Sequence, residues 1–310
     1  MQALTILGNN SALPAHGRHP TAQLLHWNSR AFLIDCGEGT QMQMMKYRVG
    51  WGKISHIFIS HLHGDHCFGL PGLLNSMNLQ NRLTPLHLFA PKGIRPILDA
   101  IWQSTNFSLK YPLHIYNIEG DSLLIDDEEI EVRSFAMDHR VPTTGFFFRE
   151  KKLPRKVKAE VAQKLEIPFA LYRNLQEGKD IRLPNGKQIK NGEITFAADE
   201  AISYAYCADT KFLPNLQFSL PAPSVMYHEA TFLNAMSARA AERYHSTAAQ
   251  AAQTAQNCGA RKLLLGHYSS QYQHLEDFLL EAREIFPESY LSEEGETYDL
   301  KKMPASIHKA

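Results

Sequence analysis

The string His61-Leu62-His63-Gly64-Asp65-His66 puts three imidazoles and one carboxylate within six residues. Imidazole and carboxylate are the usual ligands of zinc and similar borderline cations. A catalytic metal takes about three protein ligands and keeps one position open. Four donors on one turn are too many for one such ion and suggest two metals side by side. The string follows Ile54-Ser55-His56-Ile57-Phe58-Ile59-Ser60, which reads as a buried strand. Loops at strand ends are where open α/β folds place chemistry.

Two metals need more donors than this turn supplies, and those should sit at other strand ends. His139 follows the apolar run 128–135, Asp209 follows 203–208, and His267 follows 261–266. A carboxylate such as Asp209 can bridge two cations, one oxygen to each. Taken singly, each of the three reads as a capping Asp or a satisfied core His. Taken together after the hexad, they read as the rest of a site. His56 and His228 read as structural, and His308 is a poor ligand candidate. Cys67 abuts His66, but the donor set is complete without it.

The elements that must position these groups alternate along the chain. Strand patterns fall near 2–7, 22–27, 30–35, 55–60, 86–90, 113–118, 128–135, 144–149, 193–196, 203–208, 224–228 and 261–266. Helical periodicity falls near 39–48, 68–80, 93–104, 155–165, 246–258 and 272–285. Strands outnumber helices. Two sheets with helices outside fit this α/β pattern better than one doubly wound sheet. The domain expected over 1–300 is interrupted by a different segment at 150–190. That segment has eleven Lys/Arg against five Asp/Glu, with Pro and Gly breaks and a few large apolar residues. It reads either as a solvated insertion or as an arm that grips a polyanion, since phosphate contacts need clustered Lys and Arg. The tail 301–310 reads as disordered.

Bulk composition narrows the class. The chain has 310 residues, 44% apolar and 21% charged, as in ordinary soluble proteins. Lys+Arg and Asp+Glu both number 32, so any nucleic-acid surface must be a local patch. Apolar runs are far too short to span a membrane. The N-terminal stretch reads as a first strand and not as a signal peptide. Cys36, Cys67, Cys207 and Cys258 lack CxxC spacing, which favours free thiols and a cytoplasmic location.

With these motifs in place, the chain resembles the metallo-β-lactamase superfamily, an αββα four-layer sandwich. Within it the chain is similar to the ribonuclease Z family, tRNA 3′-processing endonucleases, in their short form. The likeness runs from Leu7-Gly8-Asn9-Asn10-Ser11-Ala12-Leu13-Pro14 to about Gly295. It includes Phe32-Leu33-Ile34-Asp35-Cys36-Gly37-Glu38-Gly39-Thr40-Gln41, the hexad with Cys67-Phe68-Gly69-Leu70-Pro71-Gly72, His228-Glu229-Ala230-Thr231-Phe232, and His245-Ser246-Thr247. The hexad alone marks the superfamily. The last two motifs and the arm mark the family.

The resemblance implies roles residue by residue. A first zinc would take His61, His63 and His139; a second would take Asp65, His66 and His267; Asp209 would bridge them. Asp65 would also accept a proton from the attacking water. His245, oriented and charged by Glu229, would serve the departing oxygen. The bland alternative makes Glu229 a turn cap and His245 the N′ residue of a helix capped by Ser246 or Thr247. The family product is a tRNA 3′-hydroxyl and a trailer 5′-phosphate. The arm at 150–190 would hold the tRNA body of precursor tRNA, largely through shape and backbone. It departs from the family pattern at Phe169-Ala170, where Gly-Pro is usual. The resemblance also implies a homodimer in which one subunit's arm serves the other's site. Two other classes compete. A lactonase, thioesterase or small phosphodiesterase of the same fold would keep the donors without needing the arm or the Glu229–His245 pair. A non-catalytic RNA-binding protein could lose donors, yet every donor position is filled.

Overall fold

Apolar residues on both sides of the strand runs dictate two sheets covered on both faces. Phe146 and Phe148 turn to one side of their strand and Phe147 to the other; Leu264 turns opposite to Leu263 and Leu265. The computed structural model describes residues 2–151 and 154–303. It holds two seven-stranded mixed sheets packed face to face. The first runs Thr297–Asp299, Gln2–Gly8, Ala22–Trp27, Arg30–Ile34, Ile54–Phe58, Leu86–Ala90, Leu113–Asn117. Its last four strands are parallel neighbours. The second runs Ser289–Leu291, Leu263–Gly266, Val225–Glu229, Ser203–Cys207, Thr143–Glu150, Ile130–Met137, Ser122–Asp126.

Leu4, Ile6, Trp27, Phe32, Phe58, Phe148 and Tyr206 fill the space between the sheets. Helices Thr40–Lys46, Leu70–Leu79 and Ile94–Thr105 cover the outer face of the first sheet, and Ala248–Asn257 and Glu276–Ile285 cover the second. This is the four-layer αββα sandwich. Each Leu-sized side chain buried here is worth about 1.5–3 kcal/mol relative to exposure.

The arm is a small unit with its own core. Lys156–Val157 pairs with Thr195–Phe196 as a neck, and Ile181–Arg182 pairs with Gln188–Ile189. Ala162, Ile167, Leu175, Ile181, Leu183, Ile189 and Ile194 bury one another between them. The segment expected as helix over 155–165 begins as a strand, and its helix spans Ala159–Lys164. The run expected as strand over 193–196 starts inside the short helix Asn191–Ile194. The tail expected as disordered over 301–310 is corrected at its start, where residues 301–303 form a turn and Met303 is buried between the sheets; residues 304–310, with His308, lie outside the described residues.

Candidate active site

The loop His61–His66 leaves the strand Ile54–Phe58 and turns into a single helical turn, Gly64–Cys67. Two glycines let neighbouring loops lie against it. A Cβ on Gly37 would meet the Asp65 carbonyl at 2.3 Å, and one on Gly69 would meet the Gly37 carbonyl at 2.1 Å. Close backbone approach therefore requires glycine at both.

His139 lies just beyond Ile130–Met137, Asp209 just beyond Ser203–Cys207, and His267 just beyond Leu263–Gly266. His267 adopts φ +58°, a left-handed turn that a non-glycine residue enters at a cost. All three meet the hexad across the mouth of the sandwich. His61, His63, His139 and Asp209 form one donor group; Asp65, His66 and His267 form another.

Asp209 stands between the groups. Its Oδ1 lies 3.3 Å from His66 Nε2 and 3.2 Å from His267 Nε2. Its Oδ2 lies 3.6 Å from His61 Nε2 and 3.8 Å from His139 Nε2. Asp65 Oδ2 lies 3.6 Å from His66 Nε2 and 3.5 Å from His267 Nε2, and accepts the Ala12 amide at 2.7 Å. His61 Nε2 and His63 Nδ1 approach to 3.0 Å, and His66 Nε2 and His267 Nε2 to 3.3 Å.

The outward ring nitrogens are anchored. His66 Nδ1 donates to Asp35 at 2.8 Å, His139 Nδ1 to the Tyr244 carbonyl at 2.9 Å, and His267 Nδ1 to Thr231 Oγ1 at 2.9 Å. Ser60 Oγ lies 3.0 Å from His61 Nδ1 and donates to Asp35 at 2.8 Å. A ring that donates from Nδ1 turns a lone pair inward from Nε2, which is how metal-ligating imidazoles are held.

The donor chemistry fits metal. Oδ1 of Asp209 is buried without a hydrogen-bond partner among the described residues. Burial works against ionising Asp209, but His267, His66 and His61 outweigh it and hold the carboxyl well below the usual range. Burial, with the charge of His66, keeps His61 well below the usual histidine range. Burial also lowers His63 and His139. His66 differs: its burial works against charge, but Asp209, Asp65 and Asp35 outweigh it and hold the ring well above the usual histidine range, so a metal there would have to displace its proton. Asp35, Asp65 and Asp209 converge on His66 at 2.8, 3.6 and 3.3 Å, a concentration of carboxylate that a cation bound among the donors would also neutralise.

His245 also comes within ligand distance of Asp209 and His267, but its Nδ1 is held by Glu229, and the two form a pair. Glu229 is fully buried, and Oε1 accepts from His245 Nδ1 at 2.9 Å. Burial alone would lower His245, but the charge and hydrogen bond of Glu229 outweigh it and push it up to about 9. The helix that follows is capped by Thr247, with Gln250 closing the capping box, so His245 stands two residues before the cap. His245 lines the same cleft, of about 460 Å³, as His63, Asp65 and Asp209. His228 is buried outside the donor groups, with Nδ1 on the Glu229 carbonyl. His56 stacks on His87 with ring centroids 4.9 Å apart.

Four groups that touch the donor cluster or line its cleft were given no role in the sequence analysis: Asp35 and Thr231, which appeared there only within motifs, the Tyr244 carbonyl and Arg140. Asp35 carried a usable signal, being a carboxylate just past the apolar run Phe32-Leu33-Ile34. Arg140, exposed on the cleft wall, follows His139 directly. Thr231 and the Tyr244 carbonyl gave no signal, because their roles depend on where distant loops meet.

Among known proteins, ribonuclease Z of Porphyromonas gingivalis (strain W83) is 38% identical over 297 residues, covering 95% of this chain and 98% of that protein. Ribonuclease Z of Cytophaga hutchinsonii is 42% identical over 302 residues, covering 95% of each. The chain belongs to the ribonuclease Z family. As a ribonuclease Z it is an endoribonuclease, a hydrolase of phosphodiester bonds. The crystal structure of human tRNase Z, short form, superimposes with a TM-score of 0.71 at 27% identity, over 96% of this chain and 99% of that one. A long-form yeast RNase Z superimposes at 0.66 and 15% identity, over 97% of this chain but 42% of that one, which speaks for the shared fold. The family profile described as Anti-Pycsar protein Apyc1 matches residues 2–127, the part of this ribonuclease Z that builds most of the first sheet and its outer helices.

Proposed function

We propose that this ribonuclease Z removes 3′ trailers from precursor tRNA, leaving a tRNA 3′-hydroxyl and a 5′-phosphate on the trailer. The observation that carries the reading is that three members of the seven-donor cluster, His63, Asp65 and Asp209, share one cleft with His245, which Glu229 holds from beneath. His61, His63 and His139 would hold one zinc and Asp65, His66 and His267 a second, with Asp209 between them. When bound, two zinc ions would lower the pKa of water to about 7 and offset phosphate charge. Asp65, a carboxylate of the donor set that lines the open cleft, takes the proton of the attacking water. The water oxygen bonds to phosphorus and the bond to the 3′-oxygen breaks. His245, kept protonated by Glu229, gives its proton to that leaving oxygen. Arg140 adds a guanidinium for phosphate on the same wall.

The arm supplies the grip on tRNA. Several of its cations already have partners: Lys156 with Asp199, Arg173 and Lys179 with Glu177, Lys190 with Asp180. These pairs are exposed and worth at most about 1 kcal/mol each, so phosphate can displace the carboxylates. Phe169, in place of the family's glycine, is exposed beside Tyr172. In the homodimer that the family resemblance implies, exposed Met42 and Met45 on the helix Thr40–Lys46 are apolar side chains a second copy would cover. Four buried free cysteines favour a reducing cytoplasm, and no described helix is long and apolar enough to cross a membrane.

The test is to map both ends produced from one precursor tRNA, with metal analysis of the same sample. A cut just after the discriminator with about two zinc per chain is the expected result. Brisk hydrolysis of a lactone or thioester with the precursor left intact would overturn the proposal.

A further inference from the structure

A second cavity, of about 430 Å³, opens beside the catalytic cleft. Leu62, Pro91, Ile118 and Val141 give it apolar walls, and Lys92, Asn117 and Glu119 stand exposed around it. Leu62, Pro91 and Ile118 lie just past three parallel neighbours, Ile54–Phe58, Leu86–Ala90 and Leu113–Asn117. Val141 comes from the opposite sheet, in the bend between Ile130–Met137 and Thr143–Glu150. The crevice outside the carboxyl ends of parallel strands is where open α/β sheets take ligands. Gly93 lies against Leu62 on this wall, where a Cβ would come within 2.7 Å of Leu62 Cδ1.

The two cavities share their partition. His63 lines the catalytic cleft and its neighbour Leu62 lines the second cavity; Arg140 lines the cleft and its neighbour Val141 lines the second. A polymer with a phosphodiester in the cleft can pass one adjoining unit over this partition into the second cavity. The cavity falls within the size range of small-ligand sites, about 300–1,000 Å³. A nucleobase has flat faces for apolar walls and a polar edge to be read. The Asn117 amide donates and accepts, the Glu119 carboxylate accepts from an exocyclic amine, and Lys92 offers an ammonium to the backbone.

The geometry points to a base pocket: this cavity seats the base of a nucleotide adjoining the scissile phosphodiester. The assignment rests on the endoribonuclease reading above. Val141→Trp fills the cavity, and Asn117→Ala removes the edge amide without touching the metal loop. Both variants and wild type are assayed on a precursor tRNA, on the same precursor made abasic at either nucleotide flanking the cut, and on bis(p-nitrophenyl) phosphate. Wild type should lose at least tenfold in kcat/KM on one of the two abasic substrates. Val141→Trp should lose a similar factor on the intact precursor, relative to its rate on the small diester, and lose nothing further from that abasic position. Asn117→Ala should lose about threefold and give the same answer if the Trp variant fails to fold. The pocket is overturned if neither abasic position slows wild type, if both substrates slow equally in the variants, or if the two losses add. Wild type that leaves the intact precursor uncut would instead remove the endoribonuclease reading itself.

Discussion

Oε1 of Glu229 lies 2.9 Å from Nδ1 of His245 and also accepts the backbone amides of Thr210 and Ser246, each at 3.1 Å. Oε2 accepts the Thr231 amide and hydroxyl. The carboxylate is fixed by three separate loops, so the imidazole comes to it, and the other ring nitrogen is left to the cleft. Glu229→Gln keeps the shape and removes the charge that holds His245 protonated. Precursor cleavage should fall about 100-fold in kcat with KM little changed. His245→Ala should slow cleavage at least as much with bound metal unchanged. Metal analysis of both proteins decides the matter, since loss of zinc from His245→Ala would make that ring a ligand.

Asp35 predicts a metal phenotype from a residue outside the donor groups. Its carboxylate takes His66 Nδ1, the Ser60 hydroxyl and amide, and Tyr206 Oη, the last at 2.6 Å. Asp35→Asn removes the charge and disturbs the tautomer of His66. Zinc affinity, measured by competition with a chelator, should weaken about 10- to 100-fold. An unchanged affinity in a folded variant would assign Asp35 to packing alone.

The neck of the arm defines a clean excision. Replacing residues 158–194 by a short Gly-Ser link between Val157 and Thr195 removes the arm and keeps its base pairing. Cleavage of precursor tRNA should fall more than tenfold, mainly through KM, because phosphate contacts dominate such binding. Hydrolysis of bis(p-nitrophenyl) phosphate should persist. Equal loss of both activities would mean that the arm supports the fold of the site.

His56 gives a pH dependence with a definite sign. Burial, reinforced by the neighbouring His87 and Arg30, lowers it to about 4, against 6.5 for an unperturbed histidine. The unfolded chain therefore binds the proton first as pH falls. Stability drops between pH 6.5 and 4 on this account and not further below 4. His56→Phe keeps an aromatic ring against Phe32 and Phe58 and removes the titration. Urea midpoints should show the variant gaining about 2 kcal/mol on wild type over that interval. A gap that stays constant with pH would count against a neutral buried ring.

Much of the donor cluster was legible because its members obey a local rule. Each of His139, Asp209 and His267 directly follows an apolar β run, and a strand end has a defined place in a sheet. The same rule points at Asp35, which the Gly-rich turn around it obscured. Thr231 and the Tyr244 carbonyl were not legible, since their contacts to His267 and His139 join residues 36 and 105 apart in sequence. Both sheets were readable from alternation, but the edge strands Ser122–Asp126, Ser289–Leu291 and Thr297–Asp299 were not. They are short or half exposed, and pairing across the whole chain, as between Thr5 and Thr297, leaves no local trace. The arm's charge was visible and its miniature core was not, because that core is spread over short segments without one period.

The proposed donors stretch from His61 to His267, and the last of them stands on a strand near the C-terminal end of the second sheet's sequence. During synthesis six of the first sheet's seven strands, Gln2 through Asn117, and the whole hexad are made while Asp209 and His267 are still unmade; the seventh, Thr297–Asp299, comes after both. On this assignment a nascent chain carries half a metal site and no nuclease. A protein that cuts RNA thus stays harmless to the RNA machine that is making it until nearly all of it has been translated.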